Sequence, residues 1–98
     1  MYIALQYTYQ VDVIYVPVTM GKRIKKIQNL FDKWLYDKSN NHGNWIIKDE
    51  KKVAVSFDTS TFIHYINDHH LTNTDEKAYI VDKDLKNVPS TCIATLFF

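Results

Sequence analysis

YIALQYTYQVDVIYVPV, residues 2–18, alternates with the period of a β-strand. The odd positions from Ile3 to Tyr15 are Ile3, Leu5, Tyr7, Tyr9, Val11, Val13 and Tyr15, and the even positions Gln6, Thr8, Gln10 and Asp12 between them are polar. That pattern places one apolar face on a core and one face in water. Beyond Asp12 the even positions turn apolar as well, with Ile14, Val16 and Val18, so the segment passes into a zone covered on both sides. The run is long for a single strand. A bulge or break near Tyr9-Gln10 is therefore expected. A tight hairpin is disfavoured, because no Gly or Asn supplies positive φ.

Pro17 ends the ladder, and the next stretch changes period. Residues 19–38, TMGKRIKKIQNLFDKWLYDK, place Ile24, Ile27, Leu30, Phe31, Trp34 and Leu35 at spacings of three and four. This is a core-facing helical stripe, with Thr19 as its expected N-cap. The polar cluster Ser39 to Asn44 ends it. Trp45-Ile46-Ile47 and Val53 to Phe57 flank a charged tip at Lys48 to Lys52, a β-hairpin pattern. Asp58 or Ser60 caps a second helix that runs to about His70, with Phe62, Ile63 and Ile66 inward. Ala78 to Val81 reads as a strand, residues 82–90 as a charged connection closed by Pro89, and Thr91 to Phe98 as a last strand, internal or covered.

The predicted order is β-α-β-β-α-β-β, a single α+β domain over residues 1–98 folded as a two-layer sandwich. A ferredoxin-like arrangement is the natural candidate for the first six elements, with the extra C-terminal strand at an edge. Ninety-eight residues leave no room for a second domain, and a hydrophobic fraction of 46% suits one globular core.

Charge is uneven although the net value is only +1. Residues 19–57 carry nine Lys/Arg against four Asp/Glu, and residues 58–98 carry three Lys against six Asp/Glu. Lys22, Arg23, Lys25 and Lys26 crowd the first turns of the predicted helix, where the macrodipole disfavours cations. Together with Lys33, which shares an outward stripe with Lys22 and Lys26, they are candidates for binding an anion or nucleic acid, and Gly21 would let such a ligand approach. The loop lacks the glycine spacing of a P-loop. The acidic residues Asp58, Asp68, Asp75, Glu76, Asp82 and Asp84 are candidates for docking a basic protein partner.

Tyr7, Tyr9 and Tyr15 share a face on the expected first strand, with Tyr2 on the other. Aromatic sheet residues stack RNA bases in RRM domains, but the RNP1 pattern is absent and that face belongs under the helices. His64 and Asp68 are spaced by one helical turn, and His42 is a distant third candidate ligand. No H-E-x-x-H or Cys-x-x-Cys accompanies them, so neither a metal nor another cofactor is expected. A small nuclease or metal-dependent hydrolase would need His64 with Asp58, or His42 with Lys48, as an acid–base pair. The lone Cys92 lies in an apolar run and reads as a buried free thiol, which suits a reducing, cytoplasmic setting. The first ten residues carry no cationic region of a signal peptide, and no apolar run reaches the ~18 residues of a membrane span.

The function expected from these features is that of a small non-enzymatic binding protein. It would dock and block a target, such as a basic nuclease or toxin, as immunity proteins, antitoxins and phage-type inhibitors do. Nucleic-acid binding through the basic helix is the alternative reading, and hydrolysis the second alternative. An exposed strand could also pair two copies into a homodimer.

Overall fold

The structure is a computed structural model that describes residues 1–98. The 2–18 segment folds as two strands, β1 (Tyr2–Gln6) and β2 (Val11–Tyr15), paired antiparallel. The loop from Tyr7 to Gln10 is closed by Tyr7 N–H on Gln10 O at 2.9 Å. The Gln6 side-chain amide donates to Tyr7 O at 2.7 Å and Gln10 O at 3.3 Å. None of these loop residues has positive φ. A four-residue loop turns the chain without the left-handed residues that a two-residue hairpin demands, so the missing Gly and Asn do not oppose the turn.

The hairpin changes which residues share a face. Its register pairs Ile3 with Ile14 and Leu5 with Asp12. Ile14 and Val16 thus join Ile3 and Leu5 under the helices, while Val11, Val13 and Tyr15 turn to the opposite face, because side chains alternate with period two.

After Pro17 a short helix, α1 (Val18–Gly21), precedes α2 (Ile24–Tyr36). The main helix therefore begins four residues later than expected, with Arg23 rather than Thr19 at its N-cap, where no side chain caps it. The predicted stripe is kept: Ile24, Ile27, Phe31 and Leu35 are buried. β3 (Trp45–Lys48) and β4 (Lys51–Val55) form the expected hairpin. α3 (Thr59–His69) starts in a capping box, with Asp58 Oδ1 accepting Thr61 N–H at 3.0 Å. β5 (Tyr79–Leu85) and β6 (Cys92–Phe97) complete the chain.

The main sheet is four-stranded and mixed, in the order β5-β2-β1-β6. β6 runs parallel to β1, and β5 antiparallel to β2. The ferredoxin-like order is not found, because β3 and β4 pair only with each other and stay outside this sheet. The fold is accordingly a small α+β domain of one four-stranded sheet, one hairpin and three helices. Its thinnest extent, 18 Å, fits one sheet and one helical layer. No helix is long and apolar enough to cross a membrane.

The core lies between Ile3, Leu5, Ile14, Val16 and Leu96 of the sheet and Met20, Ile24, Ile27, Phe31, Leu35, Phe62, Tyr65 and Ile66 of the helices. Phe31 is its centre, with ring centroids 5.0 Å from Phe62, 5.3 Å from Tyr65 and 5.6 Å from Phe57.

β5 includes Asp82 to Asp84, which the sequence reading assigns to a connection, so the link to β6 shortens to residues 86–91. It joins two parallel strands on opposite edges of the sheet. Pro89 and Thr91 line a cavity with Tyr2, Val13 and Val81, so this link crosses the sheet face away from the helices. Val11, Val13 and Ala4 are buried on that face although no helix covers it. β6 itself is covered on its helical side only, rather than internal as its sequence suggests.

Candidate functional site

Beyond the crossing link, the outer sheet face carries a ladder of three tyrosines. Register places Tyr2 of β1 opposite Tyr15 of β2, and Tyr15 opposite Tyr79 of β5. Tyr15 and Tyr79 stack at 5.0 Å with ring planes 24° apart, and Tyr2 meets Tyr15 edge-on at 6.0 Å. Beside the ladder is a shallow cavity of about 330 Å³ lined by Tyr2, Val13, Val81, Asp82, Pro89 and Thr91. Tyr79 and Val81 are half exposed.

This ladder is what sequence reasoning misses. A single strand puts Tyr15 with Tyr7 under the helices, whereas the hairpin separates them. Tyr7 stays on the helical side, where its ring stacks on Phe98 at 5.6 Å and its hydroxyl bonds Thr59 Oγ1 at 2.8 Å. Burial is the main reason the Tyr7 hydroxyl is held above the ordinary tyrosine range; the Thr59 hydrogen bond opposes this, and the charges of Asp12 and Asp58 add to it.

Asp12, expected on the wet face, is buried. Its Oδ2 accepts from Thr59 Oγ1, and its Oδ1 accepts from Asp84 N–H at 3.0 Å and Gln10 Nε2 at 3.3 Å. One carboxylate thereby joins β2, β5 and the start of α3. No buried side-chain polar atom in the molecule lacks a partner.

The acidic candidates occupy different places. Asp82 borders the tyrosine ladder and Asp84 follows it on β5. Asp75 and Glu76 are exposed on the connection into that strand. Asp58 caps α3. Asp68 lies on the helical layer, in a cleft of about 170 Å³ with Trp34, His64, Tyr65 and His69.

The basic candidates are all exposed: Lys22 and Arg23 in the turn before α2, and Lys25, Lys26 and Lys33 along it. Gly21 is buried, and a side chain there would collide with Met1 Sδ. Its small size makes room for Met1 rather than for a ligand.

The histidines are chiefly packing residues. His42 Nε2 bonds Leu35 O at 2.8 Å, its Nδ1 accepts Asn44 N–H at 3.3 Å, and its ring stacks on Trp45 at 5.1 Å. With both nitrogens engaged, it is not a free acid–base partner for Lys48. His69 stacks on Tyr65 at 4.7 Å. No three His, Cys, Asp or Glu side chains come together in a geometry that could hold a metal ion. Cys92 is only partly buried, and that burial raises its thiol above the ordinary range, which disfavours the thiolate.

Comparison of the chain with protein-family models, with curated proteins and with solved structures finds no match in any of the three.

Proposed function

We propose that this chain is a small non-enzymatic binding protein that docks a target protein and blocks it by occupancy, as immunity proteins, antitoxins and phage-type inhibitors do. The observation that carries this reading is the Tyr2-Tyr15-Tyr79 ladder beside Asp82. Tyrosines held by cross-strand partners offer rigid apolar area with little entropy left to lose, and they dominate interface hot spots. A charged rim around an aromatic centre is ordinary interface anatomy. Asp82 on the rim favours a target with a basic surface, such as a nuclease or toxin.

The main alternative is nucleic-acid binding. Its support is the five exposed cations around the start of α2. Those cations lie in the helical layer, however, and the tyrosines lie on the opposite face of the sheet. Stacking and phosphate contacts are thus not available on one surface, and the Tyr15 and Tyr79 rings already stack on each other.

Capture from its own cells tests the proposal. A tagged chain is expected to return one stoichiometric protein, and Tyr79→Ala or Asp82→Lys should weaken that capture while leaving the fold intact by circular dichroism. Capture that resists both changes overturns this docking surface. A labelled oligonucleotide tests the alternative. Binding that weakens steeply with salt, with a slope reduced by changing Lys22, Arg23 and Lys26 to Ala, would favour nucleic acid instead.

A further inference from the structure

The pairing of β5 with β2 slips midway. Ile80 stands opposite Ile14 and Asp82 opposite Val13, which leaves Val81 between them without a partner. In a regular strand Val81 and Asp82 would point to opposite faces. A β-bulge re-aims one of two such neighbours, and here both line the outer cavity of about 330 Å³, with Tyr2, Val13, Pro89 and Thr91. The wall formed by Pro89 and Thr91 is fixed as well, because Cys92 N–H donates to Pro89 O at 3.1 Å and closes that turn. A bulge on one side and a closed turn on the other thus shape the cavity before any ligand arrives.

Its lining is apolar with one charge. Val13 is buried and lies opposite the carboxylate, Val81 and Pro89 add aliphatic surface, and Tyr2 adds a ring. Asp82 is the only charged residue among the six. Its only hydrogen bond comes from Lys83 N–H to Oδ1 at 3.0 Å, which holds the carboxylate in place and leaves Oδ2 free. The volume is at the lower end of the range of about 300–1,000 Å³ for ligand pockets. Tyr2, Val81 and Thr91 are exposed around it. An open site of that size suits one side chain offered by another protein better than a small molecule, which a pocket ordinarily engulfs.

We infer that this cavity receives an arginine side chain of the target. The inference rests on the reading that the outer sheet face docks a protein, and it adds what that protein must present. The methylene stem lies along Val13, Val81 and Pro89, and the guanidinium pairs with Asp82 while its plane meets the Tyr2 ring. Each Asp82 oxygen has lone pairs to spare, so the bond from Lys83 does not prevent a two-pronged pairing. Lysine fits less well. Its ammonium is a more strongly hydrated point charge that neither stacks on a ring nor spans both carboxylate oxygens.

Heteronuclear NMR of the full chain, titrated with N-acetyl-arginine methylamide, tests this without any target protein. The expected result is saturating shifts of the Val13, Val81, Asp82 and Thr91 amides. The dissociation constant should be on the order of millimolar, as one exposed ion pair and one short stem supply. The citrulline derivative, which keeps the length and loses the charge, should bind about fivefold more weakly. Asp82→Asn, at an exposed position, should weaken arginine binding to a similar degree, and the lysine derivative should bind more weakly than arginine. Lys22→Ala in the helical layer should change nothing. Absence of saturating shifts on this face overturns the inference. So does citrulline or lysine binding as tightly as arginine, or arginine binding that is indifferent to Asp82→Asn. The two readings fail separately. A target captured by a chain that binds no arginine removes the arginine site alone, whereas arginine binding without any captured target leaves the site standing and removes the docking reading.

Discussion

Asp12 Oδ1 accepts the backbone N–H of Asp84 at 3.0 Å, across 72 positions of sequence. The same carboxylate holds the Thr59 hydroxyl. Asp12→Ala leaves that hydroxyl and the Asp84 N–H without their acceptor, and unfilled buried groups cost more than the hydrogen bonds themselves contribute. The expected loss is about 3 kcal/mol, read as a lower urea midpoint at unchanged slope. Combining Asp12→Ala with Thr59→Val should lose less than the two single changes together.

Phe31 meets Phe57, Phe62, Tyr65 and Phe98 in one aromatic cluster and is fully buried. Phe31→Ala should cost about 4 kcal/mol, transfer and cavity together. In a domain of this size that loss is a large part of the total stability. Thermal unfolding should show a much lower midpoint, and Phe31→Leu a smaller shift.

Asp49 and Glu50 both have positive φ, 52° and 62°, at the tip between β3 and β4. L-residues other than Gly and Asn are strained there. Replacing the pair with Asn and Gly suits the turn and should stabilise the chain by about 1 kcal/mol. Denaturant unfolding that shows no gain, or a loss, would mean that Asp49 or Glu50 makes a compensating contact.

His70 is held below the ordinary histidine range, first by burial and then by the neighbouring charges of His69 and Arg23. The folded state therefore resists a proton that the unfolded chain accepts below about pH 6.5. Stability from this source is complete above that pH and is lost as pH falls through the lower, folded value. Unfolding free energies measured from about pH 8 to about pH 5 should decline, and His70→Gln should flatten the decline.

Both long helices and the β3–β4 hairpin were legible in the sequence alone. The stripe Ile24, Ile27, Phe31, Leu35 and the alternation in residues 2–15 are local periodicities, which need no distant partner to be read. What a strand pairs with is not local. Side chains alternate along a strand, so the loop at Tyr7 to Gln10 sent Tyr15 to one face and Ile14 to the other, and only the completed sheet opposed Tyr15 to Tyr2 and Tyr79. In the same way Asp12 reads as a solvated residue until β5 and α3 close over it. The sequence by itself determined the periodic elements and the apolar stripes that must be buried. The tertiary structure decided the order β5-β2-β1-β6, and with it which tyrosines are displayed and which strands end the sheet, because backbone hydrogen bonds between strands join residues far apart in the chain.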